Sequence, residues 1–311
     1  MQPGLIYNPL SQRNRASAAL HIAPDFPYAA PTSRDELLKA LRGFVARGVD
    51  LVIVSGGDGT LREVTTMLPH AYGERLPCVS VLSAGNANVV GADVGSAGYG
   101  QAAFDALLQA ASDERFSKRA RRRLLRVRWP DLDVLPVLGF VCGGAVVSQA
   151  TRHANERVLT RGVTHQASVI VTVAVALWRA AWGRPGWVGA ESMSIAIDDA
   201  APRQGARFIF MATTLNQLML GLWPFWGGEG SAAPLRWLDI DSPPPRLLRS
   251  LPRVLRGRPP RGDRSAYRSD RAERIRLVYS DPLIIDGERF APGPSGIVEI
   301  DTDAELEFVT P

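Results

Sequence analysis

Cysteine is almost missing from this 311-residue chain: only Cys78 and Cys142 occur, in separate apolar stretches. Two thiols so placed supply no disulfide framework, which points to a reducing, cytoplasmic compartment. Lysine is confined to Lys39 and Lys118, so the formal net charge of +5 rests on arginine. An arginine excess favours phosphate-bearing partners, although a GC-rich genome produces the same bias. No apolar run is long enough to cross a bilayer. The longest, residues 167–182, is broken by Thr172 and Arg179 and falls short of the roughly 20 residues a span requires. The opening Met1-Gln2-Pro3-Gly4-Leu5-Ile6-Tyr7 has no basic segment ahead of a long apolar core, so no signal peptide is expected. These absences leave a soluble chain that can visit a membrane surface. What remains, 46% hydrophobic and 22% charged residues, is ordinary globular composition, and the length favours two domains.

Leu51-Val52-Ile53-Val54 is a short continuous apolar run of the kind a parallel strand buries on both faces, and a helix is expected from Leu61. Between them stands Gly56-Gly57-Asp58-Gly59-Thr60. A turn this bare lets a bulky ligand approach the main chain. The first turn of the following helix offers unpaired N–H donors and the positive end of a dipole, so phosphate oxygens can be held with no lysine. Asp58 would repel phosphates unless a cation or a transferable proton lay between them. It therefore suggests a magnesium-bridged nucleotide or a hydroxyl that must lose its proton. The plainer alternative is a tight turn in which Asp58 caps the helix.

Upstream, residues 4–7 are expected as a first strand, ended by Asn8-Pro9-Leu10-Ser11 and a polar loop at 12–15. Residues 32–47 carry Ser33 as N-cap, Glu36 three positions on, and Leu37, Leu38, Leu41, Phe44 and Val45 on one face: a capping box and an amphipathic helix. The resulting β-α-β unit delivers the glycine turn to the carboxyl end of a sheet, where open α/β sheets bind ligands. A buried strand is expected at 78–82, followed by the small and amide residues Ser83-Ala84-Gly85-Asn86-Ala87-Asn88-Val89 and a helix at 99–111. The basic run 118–123 reads as a boundary, either a solvated strand edge or linker or a surface for anionic headgroups. Beyond it, 124–129, 134–141, 192–197 and 207–213 alternate with a period near two, with a helix at about 164–181 inserted among them. Residues 223–226 hold Trp223, Phe225 and Trp226, suited to core packing or to a lipid interface. Residues 247–255 form an amphipathic turn or two, and 256–276 an arginine-rich loop. Asp286-Gly287 between apolar runs signals a hairpin, and 297–300 and 306–309 read as closing strands. The expected fold is an α/β N-terminal domain at 1–122, with a parallel, Rossmann-like three-layer sheet. A mainly antiparallel β domain follows at 123–311, its last residues free to return to the first.

The string Gly56 to Thr60 resembles the signature of the diacylglycerol kinase catalytic-domain family, which includes bacterial lipid kinases and sphingosine and ceramide kinases; NAD kinases and phosphofructokinases carry a related turn. Asn8-Pro9-Leu10-Ser11 resembles the family's Asn-Pro-x-Ser-Gly element, with Gln12 in place of the glycine. Residues 83–89 resemble its Pro-x-Gly-Thr-x-Asn-Asp segment: Gly85 and Asn88 match, while Asn86 replaces threonine and Val89 replaces aspartate. Asp286-Gly287-Glu288 resembles the terminal Asp-Gly-Glu of the bacterial enzymes, and Thr32 matches a threonine placed near nucleotide.

The resemblance implies an ATP-dependent lipid kinase that transfers the γ-phosphoryl group to a lipid hydroxyl such as that of diacylglycerol. Nucleotide would be bound by Asn8, Pro9, Thr32, Gly56, Gly57, Asp58, Gly59, Thr60, Leu61, Arg62, Gly85, Asn86 and Asn88. Mg2+ would arrive with the ATP. Glu288 would be the base, with Asp286 as neighbour or substitute and Asp58 helping to hold magnesium or the acceptor. Ala232-Ala233-Pro234-Leu235 stands where the family has Asp-Asp-Gly-x-Leu, so no structural metal is expected there. The implied partner is a lipid substrate at a membrane surface, with peripheral membrane association; a homodimer is left open. The departures from the motifs keep a catalytically silent nucleotide- or lipid-binding protein as an alternative, with NAD kinase behind it. Nucleic-acid binding through arginine lacks any recognisable module.

Overall fold

In the computed structural model, which describes residues 1–145, 191–218, 221–262 and 264–311, the apolar run at 51–54 lies at the heart of a parallel sheet. The helix expected at 164–181 lies outside the described residues. The chain divides into two units, Met1–Leu124 with Ala304–Pro311, and Leu125–Asp303.

In the first unit, strands β1 (Pro3–Tyr7), β2 (Tyr28–Ala29), β3 (Leu51–Gly56) and β4 (Cys78–Ser83) run parallel in the order β2-β1-β3-β4. Every residue of β3 is buried, as an uninterrupted apolar strand covered on both faces must be. The end of β15 (Ile297–Thr310) adds to β4 in parallel, with Phe308 opposite Val79, and Ser80 Oγ donates to Val309 O at 2.7 Å. Helix α1 (Gln12–Ala16) replaces the loop expected at 12–15. Two contacts order it: Arg13 N donates to Ala84 O at 3.0 Å, and Asn14 Nδ2 to Asn8 O at 2.8 Å. Helix α2 (Arg34–Ala46) starts at the expected capping box, Glu36 N donating to Ser33 Oγ at 3.2 Å. It packs against α3 (Asp58–Tyr72). After α4 (Val89–Val94), α5 (Gly100–Ser112) brings Phe104, Leu107 and Ala111 into one cluster with Leu5, Leu51, Ile53, Leu82 and Val309.

Strand β5 (Lys118–Arg128) absorbs the basic run that sequence suggested as a boundary. Its arginines have acidic partners from distant positions: Arg119 meets Glu307 at 2.9 Å, Arg122 meets Asp93 at 2.6 Å, and Arg126 meets Asp301 at 2.6 Å. Ala120, Leu124, Leu125 and Val127 provide apolar burial.

The second unit is mainly antiparallel. It contains β6 (Val137–Gly139), β7 (Val141–Ala145), β8 (Glu191–Ile197), β9 (Arg203–Thr213), β10 (Leu235–Asp241), helix α6 (Leu247–Val254), β11 (Tyr267–Ala272), β12 (Ile275–Val278), β13 (Leu283–Ile285) and β14 (Glu288–Phe290). Pairing runs β14-β13-β7-β9-β8-β12-β15, and β10 joins β9 to β11. The stretch 256–276 is therefore not all loop. Buried Tyr267, Ser269 and Ala272 in β11 are separated by Arg268, Asp270 and Arg271, so the strand signal is masked by charge. Likewise, the two closing strands are one 14-residue strand. Phe225 is buried in a cluster with Phe208, Leu238, Leu247 and Val254, against which Trp223 and Trp226 pack.

A charge network crosses β9, β10 and β11. Asp239 is 0% exposed, with Arg207 Nε 3.0 Å, Arg268 Nη1 3.1 Å and Arg203 Nη2 3.3 Å from its oxygens. Arg207 and Arg268 also hold Asp241, at 2.8 and 2.5 Å. Burial pushes the Asp239 carboxyl up further than the three guanidiniums pull it back.

Candidate functional site

The turn after β3 is built by close approach of main chain to main chain. Gly57 is extended (φ −96°, ψ −175°) and caps α3, whose first backbone bond is Leu61 N to Gly57 O at 3.0 Å. The amides ahead of Leu61 therefore have no helical carbonyl to meet. A Cβ added at Gly56 would lie 2.5 Å from Thr60 Cβ, and one at Gly85 would run into Gly57 Cα. Only glycine at 57 and 85 lets these two loops touch through their backbones.

Asp58 fastens the same two loops. Its Oδ2 accepts from Val89 N and its Oδ1 from Val90 N, both at 3.1 Å, so the carboxylate caps α4, thirty residues on, in addition to opening its own helix. Burial pushes its pKa above the ordinary aspartate range, against the pull of the Val89, Val90 and Asn88 amides. Asn88, in the left-handed region at φ 47°, folds its amide back onto Gly85, donating to O at 2.8 Å and accepting from N at 3.1 Å. Asn86 is different: its Oδ1 is buried with no hydrogen-bond partner. A buried acceptor without a donor is costly, and a ligand N–H would relieve it.

Asn8 joins this assembly by donating from Nδ2 to Thr60 Oγ1 at 2.8 Å. Segments 8–14, 56–60 and 83–90 thus meet at the carboxyl ends of β1, β3 and β4. Two residues that sequence reading passed over hold them together. Arg13 Nη1 donates to Ser83 O at 3.2 Å with its guanidinium 4.8 Å over the Tyr99 ring, and Asn14 Nδ2 reaches both Asn8 O and Ser55 Oγ, the latter at 3.1 Å. The signal available was their position directly after Asn-Pro, inside a segment read as polar loop.

The remaining first-unit candidates have other duties. Pro9 is in the exposed turn after β1. Thr32 donates from N and Oγ1 to Glu36 Oε2 at 2.7 and 2.8 Å, the duty of an ordinary helix cap. Leu61 is 2% exposed in the core, and Arg62 is 1% exposed and paired with Glu63 at 2.7 Å, so both serve through backbone position.

In the second unit, Ile285 pairs with Glu288 across the expected hairpin, with Asp286 (φ 46°) and Gly287 (φ 87°) as its turn. Asp286 accepts from Val141 N at 2.9 Å and from Phe140 N at 3.1 Å, anchoring the link between β6 and β7. Glu288 is exposed on β14.

Replacing Asp58 by alanine strips two backbone amides of their acceptor, a loss of about 1–3 kcal/mol. The pH dependence has a definite sign. A raised folded pKa means that the proton binds the folded chain more tightly than the unfolded one. The Asp58 contribution is therefore fully present below the ordinary aspartate value and is lost as pH rises through the higher folded value. Urea unfolding at a series of pH values should show this decline in the parent and not in Asp58→Asn. The reverse slope would assign the carboxylate to net hydrogen-bond stabilisation.

Residues 3–116 match the family model of the diacylglycerol kinase catalytic domain. Three solved structures from Bacillus anthracis str. Sterne share the fold over 100% of this chain and 97% of theirs. One is described as a diacylglycerol kinase (TM-score 0.58, 14% identity), and two bear that designation provisionally (TM-scores 0.62 and 0.61, identities 14% and 13%). A comparison with curated proteins returns no match. Among the described residues no helix is long and apolar enough to cross a membrane.

Proposed function

We propose, from a diacylglycerol kinase catalytic domain over residues 3–116, that this chain is an ATP-dependent lipid kinase acting on a lipid hydroxyl such as that of diacylglycerol. The observation that carries the reading is the meeting of a bare glycine turn, helix amides with no helical carbonyl to meet and the unpartnered Asn86 Oδ1. A polyphosphate supplies anions for the first two, and the exocyclic amine of a base supplies a donor for the third.

The amides of the 56–60 turn and the positive end of α3 hold phosphate oxygens and stabilise charge that grows on them during transfer. Asp58 keeps the 83–90 loop in register with that turn. Its oxygens are already engaged by amides, which suits positioning better than sole custody of a metal. Magnesium carried by the nucleotide would neutralise phosphate charge. Glu288 accepts the proton of the acceptor hydroxyl as its oxygen bonds to the γ-phosphorus; the bond to the bridging oxygen breaks and ADP departs.

Incubation with labelled ATP, magnesium and a panel of lipids, followed by organic extraction, is expected to move label into the organic phase with diacylglycerol or a related alcohol. Label that stays aqueous while nucleotide still binds would establish the silent binding protein instead. That second reading is favoured by Val89 and Gln12, which stand where the resembling family has aspartate and glycine.

A further inference from the structure

The surface around α6 combines unneutralised charge with exposed hydrocarbon. Between residues 246 and 264 the sequence places seven arginines and one acid, Asp263. Among the described residues none of the seven forms an ion pair, in contrast to Arg119, Arg122 and Arg126 of β5 and Arg203, Arg207 and Arg268 of the buried network. Helix α6 turns Leu247, Ser250 and Val254 into the core. At 100° per residue the opposite side carries Leu248, Arg249 and Pro252, and Leu248 is 57% exposed. Past the helix end, exposed Arg256 donates from Nη1 to Pro252 O at 3.3 Å and exposed Arg258 donates from N to Arg253 O at 3.0 Å, which keeps both beside this face. Leu222, 40% exposed, lies beside the helix end, because Trp223 N donates to Leu255 O at 3.0 Å and Trp223 bridges to Arg256. Trp223, Trp226 and Phe225 underneath hold this face on a packed base.

We propose that this face docks the chain on an anionic lipid bilayer, with Leu248, Pro252 and Leu222 entering the headgroup boundary and Arg249, Arg256 and Arg258 meeting lipid phosphates. A polyanion such as DNA would satisfy the arginines and leave the leucines in water. A bilayer satisfies both, as an amphipathic helix lying in the interface requires. The inference deepens the lipid-kinase reading, and rests on it only for the reason that such a surface is needed.

Full-length protein without nucleotide is mixed with vesicles of phosphatidylcholine alone or with added phosphatidylglycerol, and bound protein is measured by flotation. Binding should require phosphatidylglycerol and weaken as salt is raised. Each arginine near the surface contributes about fivefold in affinity, so R249Q/R256Q/R258Q should bind on the order of a hundredfold more weakly. Leu248→Ser should weaken binding several-fold without changing the salt dependence. Circular dichroism of each variant confirms that it is folded. The proposal is overturned by equal binding to neutral vesicles, by an unaffected triple variant, or by retention on double-stranded DNA without retention on phosphatidylglycerol vesicles. A water-soluble short-chain diacylglycerol separates the two readings. Equal turnover by parent and triple variant is expected; no turnover in either, with vesicle binding intact, removes the kinase and leaves the docking surface.

Discussion

Replacing Glu288 by glutamine is expected to slow phosphoryl transfer by about 10²–10⁴-fold while leaving nucleotide affinity unchanged, the scale of a lost general base. The side chain is exposed on β14, whose register is set by backbone pairing of Leu283 with Phe290 and Ile285 with Glu288, so the substitution removes the proton acceptor and not the hairpin. Asp286→Ala should behave differently. Asp286 accepts from the Phe140 and Val141 amides, and its loss would show first as a lower unfolding midpoint. Single-turnover transfer from labelled ATP, with nucleotide binding measured in parallel, checks both. Full turnover in Glu288→Gln would remove the base from the proposed mechanism.

Asp239→Ala is expected to cost about 3–5 kcal/mol of stability, because it leaves the buried Arg207 guanidinium with one carboxylate where it had two. The midpoint of thermal unfolding should fall on the order of 10 °C. Arg207 Nε lies 3.0 Å from Asp239 Oδ1 without an aligned hydrogen bond, so charge attraction is what holds that contact and what the substitution removes. Arg274→Ala is the matched control: its partner Asp199 is exposed and 3.4 Å away, and surface pairs of this kind contribute less than about 1 kcal/mol. Equal effects of the two substitutions would show that the Asp239 network is not a source of stability.

Much of the architecture was legible because its signals are local. The uninterrupted Leu51 to Val54 run, the Ser33 and Glu36 capping box, and the Asp286-Gly287 turn each depend on a few adjacent residues, and each became the element its pattern implies. Strand β11 was hidden because its Arg268, Asp270 and Arg271 mimic a solvated loop, and the partners of the two arginines, Asp239, Asp241 and Ala233, lie elsewhere in the chain. The basic half of β5 was left between strand edge, linker and lipid surface, since Asp93 and Glu307 cannot be matched to Arg122 and Arg119 by spacing. At the site, the glycine turn was readable, but the duties of its polar residues were not. Asp58 read equally well as a magnesium holder or as a cap on its own helix, and in fact caps α4 through Val89 and Val90.

The sequence by itself determined a parallel α/β unit with a bare, lysine-free turn, since glycine tolerance and strand burial are properties of neighbouring residues. Only the tertiary structure decided which amides Asp58 occupies, which acceptor Asn86 leaves unmet, and which arginines stay without acids. Hydrogen bonds and ion pairs are made between atoms a few ångströms apart, and the residues that own those atoms lie up to hundreds of positions apart in the chain.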